Sequence, residues 1–238
     1  MSIKWTTLYK YIPARDAAAI IKSQRLRMGN GSNFNDPFEL VVVDKKKHTE
    51  QRITGLRILC LTNSTKKKLM WSHYADSHKG LCLAVKVPAE MVYYVCYTGE
   101  RLFVNSNIDE IINKCKSQGK ENLRKSYEQL SDEHKAALLK DQKWAYEKEY
   151  RIVCSEKQTE LIDEEGYYSL PVKIERVYLG CRFNENDLMK REAIIQACLA
   201  HNVEIKQMRL SQSNYSLIPD KPDEERLVTT TQELVAPL

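Results

Sequence analysis

Apolar positions along the chain predict a series of short strands and helices. Continuous or alternating apolar runs of about 4–8 residues favour strands, whereas apolar residues spaced by three and four favour amphipathic helices. The predicted strands cover residues 7–12, 57–62, 81–87, 150–154, 167–172, 176–179 and 203–210, with one or two more inside 92–104. The predicted helices follow Pro13, cover residues 66–76 and 186–201, and recur through 107–146, where Ser131 is a candidate N-cap.

The order of these elements favours an α+β fold. Strands dominate both ends of the chain and helices cluster in its middle, unlike the regular alternation that builds a parallel α/β sheet. We predict one domain over residues 1–210, with a mixed or antiparallel β core and a helical insert over about 107–143. The charged stretch 44–55 is predicted to be a surface loop, and the proline-bearing tail 211–238 to be loosely ordered.

Composition narrows the class of protein. The chain has 238 residues, of which 42% are hydrophobic, which is enough for a folded core. The net charge of +5 permits a polyanionic partner such as nucleic acid without requiring one. No apolar run approaches the roughly 18–20 residues of a membrane span, and no signal peptide is evident, so we expect a cytoplasmic protein without a membrane partner.

The cysteines carry no recognisable metal motif. The chain has 7 of them, and none stands in a CxxC or similar spacing. Most lie inside apolar stretches, as Cys60 does in Ile58–Leu61. We therefore expect reduced thiols in the core and no bound metal.

Four segments combine aromatic, charged and hydroxyl side chains in a way that suits ligand binding. They are the end of the first strand, the loop that follows Arg27, the connection from the second buried strand into a helix, and the head of the strand near residue 150. Each segment also has a structural interpretation. The loop could be a turn held by Asn and Asp before proline, and the Met and aromatic residues could be a stripe in the core. The histidine could have its hydrogen bonds within the fold. The candidate binding residues are Tyr9, Lys10, Tyr11, Asn35, Asp36, Thr62, Ser64, Trp71, His73 and Tyr74.

The fourth segment, Trp144–Val153, carries the sharpest signal. Glu147, Glu149 and Arg151 are spaced by two, so they share one face of a strand. A solvated strand face with a salt bridge would show the same pattern. The functional interpretation is a carboxylate pair that faces a ligand with a cationic transition state. Arg27, at a strand-to-loop junction, is a candidate for gripping a phosphate.

Together these motifs resemble a bacterial family known as domain of unknown function 2971. Its hallmarks stand here within about the first 155 residues. The family name implies no activity. The matching motifs are Leu8–Tyr11, Asn35–Glu39, Met70–Ala75 with His78–Gly80, and Trp144–Arg151.

The layout is also similar to the ADP-ribosyltransferase superfamily, including DarT-like toxins that modify nucleic acid. That resemblance implies NAD as co-substrate, gripped from the first strand by Lys10 or Tyr11, where the superfamily has His or Arg. Thr62 or Ser64 would take the place of the hydroxyl residue on the second strand. Glu149 would begin the later strand.

The same resemblance assigns roles in the reaction. Cleavage of the bond between nicotinamide and ribose builds positive charge on the ribose, which Glu149 would stabilise. Glu147 would select or activate the acceptor, and Arg27 would hold the pyrophosphate.

Three functions follow as hypotheses. The first is an NAD-dependent mono-ADP-ribosyltransferase, a toxin or phage-defence effector that acts on nucleic acid or protein and has a neutralising partner. The second is a non-catalytic module that binds a nucleotide or a partner, which the departure at Lys10 favours slightly. The third is a nuclease that would use His73, His78, Glu147, Glu149 and Arg151.

Overall fold

The computed structural model describes residues 3–116 and 127–220, and this part of the chain is α+β with mostly antiparallel strand pairing, as predicted. The helices are α1 (Ala14–Ser23), α2 (Lys68–Tyr74), α3 (Ile108–Lys116), α4 (Asp132–Ala136) and α5 (Leu188–Ala200). The strands are β1 (Trp5–Ile12), β2 (Arg25–Arg27), β3 (Val41–Asp44), β4 (Thr49–Arg52), β5 (Leu56–Thr62), β6 (Leu81–Pro88), β7 (Tyr93–Tyr94), β8 (Cys96–Thr98), β9 (Leu139–Asp141), β10 (Glu149–Ser155), β11 (Ser169–Pro171), β12 (Lys173–Leu179), β13 (Glu204–Leu210) and β14 (Leu217–Asp220). Among the helices of these described ranges, none has the length and apolar character that a membrane crossing needs.

The chain divides into two compact units, each assembled from separate stretches. Unit one contains Met1–Trp5, Leu26–Thr62 and Pro88–Leu170. Unit two contains Thr6–Arg25, Asn63–Val87 and Pro171–Leu238. The single domain predicted over residues 1–210 stays a prediction.

Unit one is built on the antiparallel pairing of β5 with β10. The register runs from Glu149 opposite Thr62 to Ser155 opposite Leu56, and β7 pairs with the other edge of β10. Both long strands are buried along most of their length, although β10 includes the charged residues Glu149 and Arg151. The head of β10 therefore lies beside the end of β5.

A second layer of unit one packs around α3 and α4. Ile108, Ile111 and Ile112 of α3 share a buried cluster with Cys96 of β8 and Leu139 of β9. The predicted cap of α4 is confirmed, because the hydroxyl of Ser131 accepts a hydrogen bond from the His134 amide. This layer places β9 parallel to β8.

The same packing corrects the prediction about thiols. Cys96 and Cys115 form a disulfide, although 19 residues separate them in sequence. The expectation of reduced thiols failed for this pair because α3 packs on β8, a long-range contact that cysteine spacing does not encode. Within residues 3–116 and 127–220, the other cysteines form no disulfide.

Unit two is a five-stranded arrangement in the order β14-β13-β12-β6-β1. Its centre is β6, in which Leu81–Val85 are all buried, and β12 pairs with it antiparallel. Next to β12, β13 runs parallel, and α5 forms the connection between them. Asp187 caps α5 by accepting a hydrogen bond from the Lys190 amide at 2.8 Å, and α5 packs against α1.

Three stretches differ from the sequence-based predictions. Within the predicted loop 44–55, β4 pairs with β3 as a hairpin, because local pairing satisfies the backbone even where the side chains are charged. Within the predicted tail 211–238, β14 pairs with β13, and Leu217 is buried. The predicted helical insert 107–143 also contains β9, and its residues 117–126 and the tail residues 221–238 lie outside the described residues.

Candidate functional site: a buried charge cluster in unit one

Five charged side chains meet in the interior of unit one, and we call them the charge cluster. Each exposes 6% of its surface or less. Side chains of this kind are almost never fully buried unless they are paired, so the cluster is the chemically unusual part of this unit. Its members are Glu39, Lys140, Glu147, Glu149 and Arg151.

Local backbone geometry brings the two carboxylates of the fourth segment to one place. Glu149 begins β10, and Glu147 ends the 3-10 turn Gln142–Glu147. Between them Lys148 has a left-handed backbone, with φ of 47°. This turn lets both glutamates face Lys140 although only one of them belongs to the strand.

The ammonium group of Lys140 is the meeting point of three carboxylates. Its Nζ lies 2.6 Å from Glu147, 2.9 Å from Glu149 and 3.3 Å from Glu39. Lys140 reaches this position because β9 pairs with β8. The three acidic groups thus surround a single cation.

Arg151 forms the second cationic centre of the cluster and is 0% exposed. Its Nε donates to Glu149 at 2.8 Å, and one terminal nitrogen donates to the other oxygen of Glu149 at 3.0 Å. That nitrogen also donates to Glu39, and the other terminal nitrogen donates to the carbonyl of Ala137 at 2.6 Å. Three of its partners are anionic or strongly polar, which compensates for the burial of its charge.

Aromatic rings and one hydroxyl line the cluster. The Phe34 ring lies 5.2 Å from the guanidinium of Arg151, and the Trp144 ring lies 5.1 Å from Lys140 Nζ. The Glu149 amide donates to the hydroxyl of Tyr97 at 2.7 Å. Burial raises the pKa of Tyr97, so this hydroxyl stays neutral.

The electrostatics favour the charged forms of Glu149 and Lys140. Burial opposes ionisation of Glu149, but Arg151 and Lys140 outweigh it and hold the pKa of this carboxyl well below its usual range. Burial likewise disfavours the charged form of Lys140, but the carboxylates of Glu149 and Glu39 raise its pKa above the usual value. Glu149 is therefore a carboxylate and Lys140 an ammonium group at neutral pH.

A cavity of about 270 Å³ adjoins the cluster. Glu39 and Lys140 form part of its wall, together with Asp36 and Asp141. Pockets that enclose drug-sized ligands hold roughly 300–1,000 Å³, so this one suits a fragment the size of a sugar or a small ring.

The prediction of a shared strand face is confirmed for Glu149 and Arg151, but it is wrong for Glu147, which precedes the strand and reaches the cluster through the left-handed turn at Lys148. The solvated strand face considered as the alternative is wrong, because all three side chains are buried. Glu149 pairs directly with Arg151. It is linked to Glu147 through Lys140, whose ammonium group donates to both carboxylates. Thr62 joins them, since its hydroxyl donates to the Glu147 carbonyl at 2.6 Å. Burial between β5, β9 and β10 excludes the solvent that an edge face would meet.

The remaining candidates of unit one lie in different surroundings. The guanidinium of Arg27 is exposed and stacks 3.6 Å above the Tyr167 ring. Asp36 is buried and accepts a hydrogen bond from the Phe38 amide at 2.9 Å, which is the structural turn considered for this loop. Asn35 is exposed.

In unit two, three of the candidates meet in the core. Tyr11 donates its hydroxyl hydrogen to the Ser64 carbonyl at 2.9 Å and packs edge-on against Trp71 at 5.1 Å. Trp71 is 0% exposed and donates from Nε1 to the Thr65 carbonyl at 2.7 Å. The core interpretation of the Met-aromatic stripe is therefore confirmed for Trp71.

The other four candidates of unit two are less enclosed. Tyr9 packs edge-on against Tyr178 at 6.2 Å, and Lys10 is half-buried on the same strand. His73 is exposed and lies edge-on to Tyr74 at 6.2 Å, while Tyr74 is half-buried.

Sequence reasoning missed two members of the cluster as site residues, Glu39 and Lys140. Glu39 was noted only as the end of a loop motif. Lys140 follows the apolar run 136–139, and a lone charge at the end of such a run is a signal of burial that was not used. The pairing of β8 with β9 that positions Lys140 is not visible in the sequence.

No cluster of three or more His, Cys, Asp or Glu side chains suited to a metal ion occurs in residues 3–116 and 127–220. Within the charge cluster, the carboxylates bond to Lys140 and Arg151. A family model described as a protein of unknown function (DUF2971) matches residues 70–152. This stretch includes the helix motif Met70–Ala75 and the strand motif Trp144–Arg151, so the resemblance to that family is confirmed there. Among curated proteins and among solved structures, no match to the chain was found.

Proposed function

We propose that the chain is an NAD-dependent mono-ADP-ribosyltransferase in which the charge cluster stabilises a cationic ribose. The observation that carries this proposal is the convergence of three buried carboxylates on one cationic position, next to a small cavity. In the described conformation Lys140 supplies that cation. A positively charged ribose would experience the same field if Lys140 moved aside.

The ionisation state of Glu149 supports this role. Its lowered pKa keeps the carboxylate anionic at neutral pH, as stabilisation of a developing positive charge requires. Its position also supports the role, because Thr62 ends β5 directly opposite Glu149 at the head of β10. These are the strand positions that the superfamily resemblance assigns to the hydroxyl residue and the glutamate.

The reaction would break the bond between the nicotinamide nitrogen and ribose C1′, and the electron pair would leave with neutral nicotinamide. The positive charge left on the ribose is then balanced by Glu149. The acceptor forms a new bond to C1′ and gives its proton to a base, for which Glu147 is the neighbouring carboxylate.

The cavity limits what unit one can hold in this conformation. Its volume of about 270 Å³ fits the nicotinamide-ribose portion but not a whole dinucleotide. The acceptor is a protein or a nucleic acid, and exposed basic runs such as Lys45–Lys47 are compatible with the latter. A toxin or phage-defence role would require a neutralising partner.

The test is release of nicotinamide from NAD by the purified full chain, with and without a cell lysate that supplies acceptors. We expect release by the wild type and a loss of about 10²–10³-fold in Glu149→Gln, which removes the charge but keeps the shape. Glu160→Gln, an exposed carboxylate beyond the same strand, is the matched control and should retain full activity.

Thermal unfolding of each variant separates a catalytic loss from a folding defect. Absence of nicotinamide release by the folded wild type, with lysate present, would contradict the proposal. Equal release by folded Glu149→Gln and the wild type would contradict the role of Glu149.

A second candidate is a nucleotide- or partner-binding module without catalysis. It is favoured by one specific observation, that both carboxylate oxygens of Glu149 are already bonded to cations and the residue is only 4% exposed. In that case Lys140 is a permanent part of the core. Ligand binding without nicotinamide release would support this second function.

A further inference from the structure

Unit two contains a second cavity, of about 1110 Å³, which the proposed function does not use. Its floor is apolar and includes the buried side chains of Leu179, Phe183 and Met208. Its rim is the loop 211–217, which contributes several hydroxyl and amide groups and the exposed ring of Tyr215. The volume exceeds roughly 300–1,000 Å³, the range of ordinary small-molecule pockets, so a ligand the size of a nucleotide fits.

The lining of this basic cavity carries four cationic side chains and no carboxylate. Two of the cations are paired with acids outside the lining. Arg182 binds Glu185 with two nitrogens at 2.7 and 2.8 Å, and Arg209 Nε lies 3.3 Å from Asp220. The full set of cations is Lys68, Arg182, Arg191 and Arg209.

The other two cations have no acidic partner within residues 3–116 and 127–220. Lys68 lies over the Tyr215 ring at 5.9 Å. Arg191 is partly buried, and its Nε is enclosed without a hydrogen-bond partner. Enclosed guanidinium donors are normally satisfied, so the Nε of Arg191 lacks a partner that such a group usually has, and the side chain lines the cavity where an added anion could contact it. Two positive charges in the cavity thus remain uncompensated.

His78 of the lining belongs to a strained segment. Asp76, Ser77 and His78 all have left-handed backbones, with φ of 46°, 51° and 71°. For residues other than glycine this costs about 1–2 kcal/mol each. Gly180 permits the close approach of β12, since a Cβ there would overlap the His78 carbonyl. Strain of this kind is concentrated at functional sites.

Inside the cavity, this segment presents the ring of His78. Its Nδ1 is buried without a hydrogen-bond partner. Burial and the nearby charge of Arg182 lower the pKa of this imidazole, so it is neutral at pH 7. A neutral ring adds a polar contact without adding charge.

We propose that the basic cavity binds a nucleoside monophosphate, with the phosphate between Arg191 and Lys68 and the base on the apolar floor. A phosphate monoester carries about −1.5 to −2 charges at neutral pH, which matches the two uncompensated cations. The apolar floor and Tyr215 supply the surface that a flat base requires, whereas inorganic phosphate would use only the charges. This inference goes beyond the ADP-ribosyltransferase proposal and does not depend on it.

The test is calorimetric titration of the full chain with AMP, GMP, CMP and UMP, and with the matching nucleosides and inorganic phosphate. We expect at least one nucleotide to bind with a Kd below about 1 mM, and its nucleoside and inorganic phosphate to bind at least about tenfold more weakly. Arg191→Gln should weaken nucleotide binding by about tenfold or more. Arg15→Gln, an exposed arginine of the same unit, is the matched control and should not change it.

Two results would overturn the proposal. One is that none of the four nucleotides binds, or that inorganic phosphate binds as tightly as the best nucleotide. The other is that Arg191→Gln binds as the wild type does. If Arg191→Gln does not fold, Lys68→Gln, an exposed residue at the cavity edge, replaces it and should give a severalfold loss. The outcome is independent of nicotinamide release, so the two proposals can fail separately.

Discussion

The two units compensate their charged side chains in different ways. In unit one, five charged groups bond to one another inside the core, and every cation has a carboxylate partner. In unit two, four cations line a large cavity, and Lys68 and Arg191 have no acidic partner among the described residues. The first arrangement stabilises charge internally, while the second leaves it available to a ligand.

A closed ionic network and an open cavity lined by cations are different kinds of evidence for function. A closed ionic network is also compatible with a purely structural role, because burying charges requires pairing wherever it happens. The enclosed Nε of Arg191, which has no hydrogen-bond partner beside the apolar floor, is not explained by such pairing. The charge cluster therefore needs a chemical test, whereas the basic cavity needs a binding test.

The largest expected effect comes from removing the most buried cation. Arg151→Met leaves Glu39 and Glu149 with less compensation and the Ala137 carbonyl without its donor. We expect the free energy of unfolding to fall by about 3–5 kcal/mol, measured by urea denaturation.

The matched substitution for Arg151→Met is Arg57→Met on the neighbouring strand β5. Arg57 pairs with the partly exposed Glu156, so its loss should cost less than about 1 kcal/mol. Equal losses in the two variants would show that the buried cluster has no special energetic weight.

A smaller effect is expected from pH. The pKa of Glu149 is lowered in the folded chain, so its contribution is complete above the ordinary carboxyl range of the unfolded chain. That stability falls by about 2 kcal/mol as the pH falls from about 4.5 to about 3, and the loss continues towards the lowered folded pKa. Denaturation between about pH 7 and pH 3 should show this loss, and Glu149→Gln should show a flatter pH dependence. If the stability of Glu149→Gln changes with pH in parallel with that of the wild type, Glu149 is not the source of the loss at low pH.

The smallest effect concerns the exposed pair that borders the basic cavity. Glu185→Gln frees Arg182 from its carboxylate partner. Because the pair is exposed, the thermal midpoint should not change measurably, but nucleotide affinity should rise about two- to fivefold as the cavity becomes more positive. A weaker affinity in this variant would show that Glu185 contacts the ligand or orders its site.

The fold was largely predictable because its main elements are local. Apolar runs predicted β5, β6 and β10, and apolar residues at helical spacing predicted the helix that is α5. In the structure, Asp187 caps this helix. The hairpin of β3 with β4 was missed because backbone pairing forms it within a charged stretch. The disulfide of Cys96 with Cys115 was missed because it depends on long-range packing.

The candidate site was predictable only in part. Spacing by two placed Glu149 and Arg151 on one strand face, whereas Glu147 joins them through the left-handed turn at Lys148. The register of β5 with β10 adds Thr62. Nothing in the spacing indicated Lys140, whose position depends on the parallel pairing of β8 with β9. The basic cavity was not predicted, since its cations come from α2, α5, β13 and the turn after β12.

The central claim concerns the place among three carboxylates where the ammonium group of Lys140 lies. We propose that the positively charged ribose formed from NAD can occupy this place when Lys140 moves aside. The most direct measurement is acetylation of Lys140 by an amine-reactive reagent, followed by peptide mass spectrometry. It is made with and without an NAD analogue whose ribose ring oxygen is replaced by methylene, which prevents cleavage. We predict that Lys140 is protected in the free protein, because it is buried and protonated, and becomes reactive when the analogue binds. Unchanged protection of Lys140 at saturating analogue would contradict the claim.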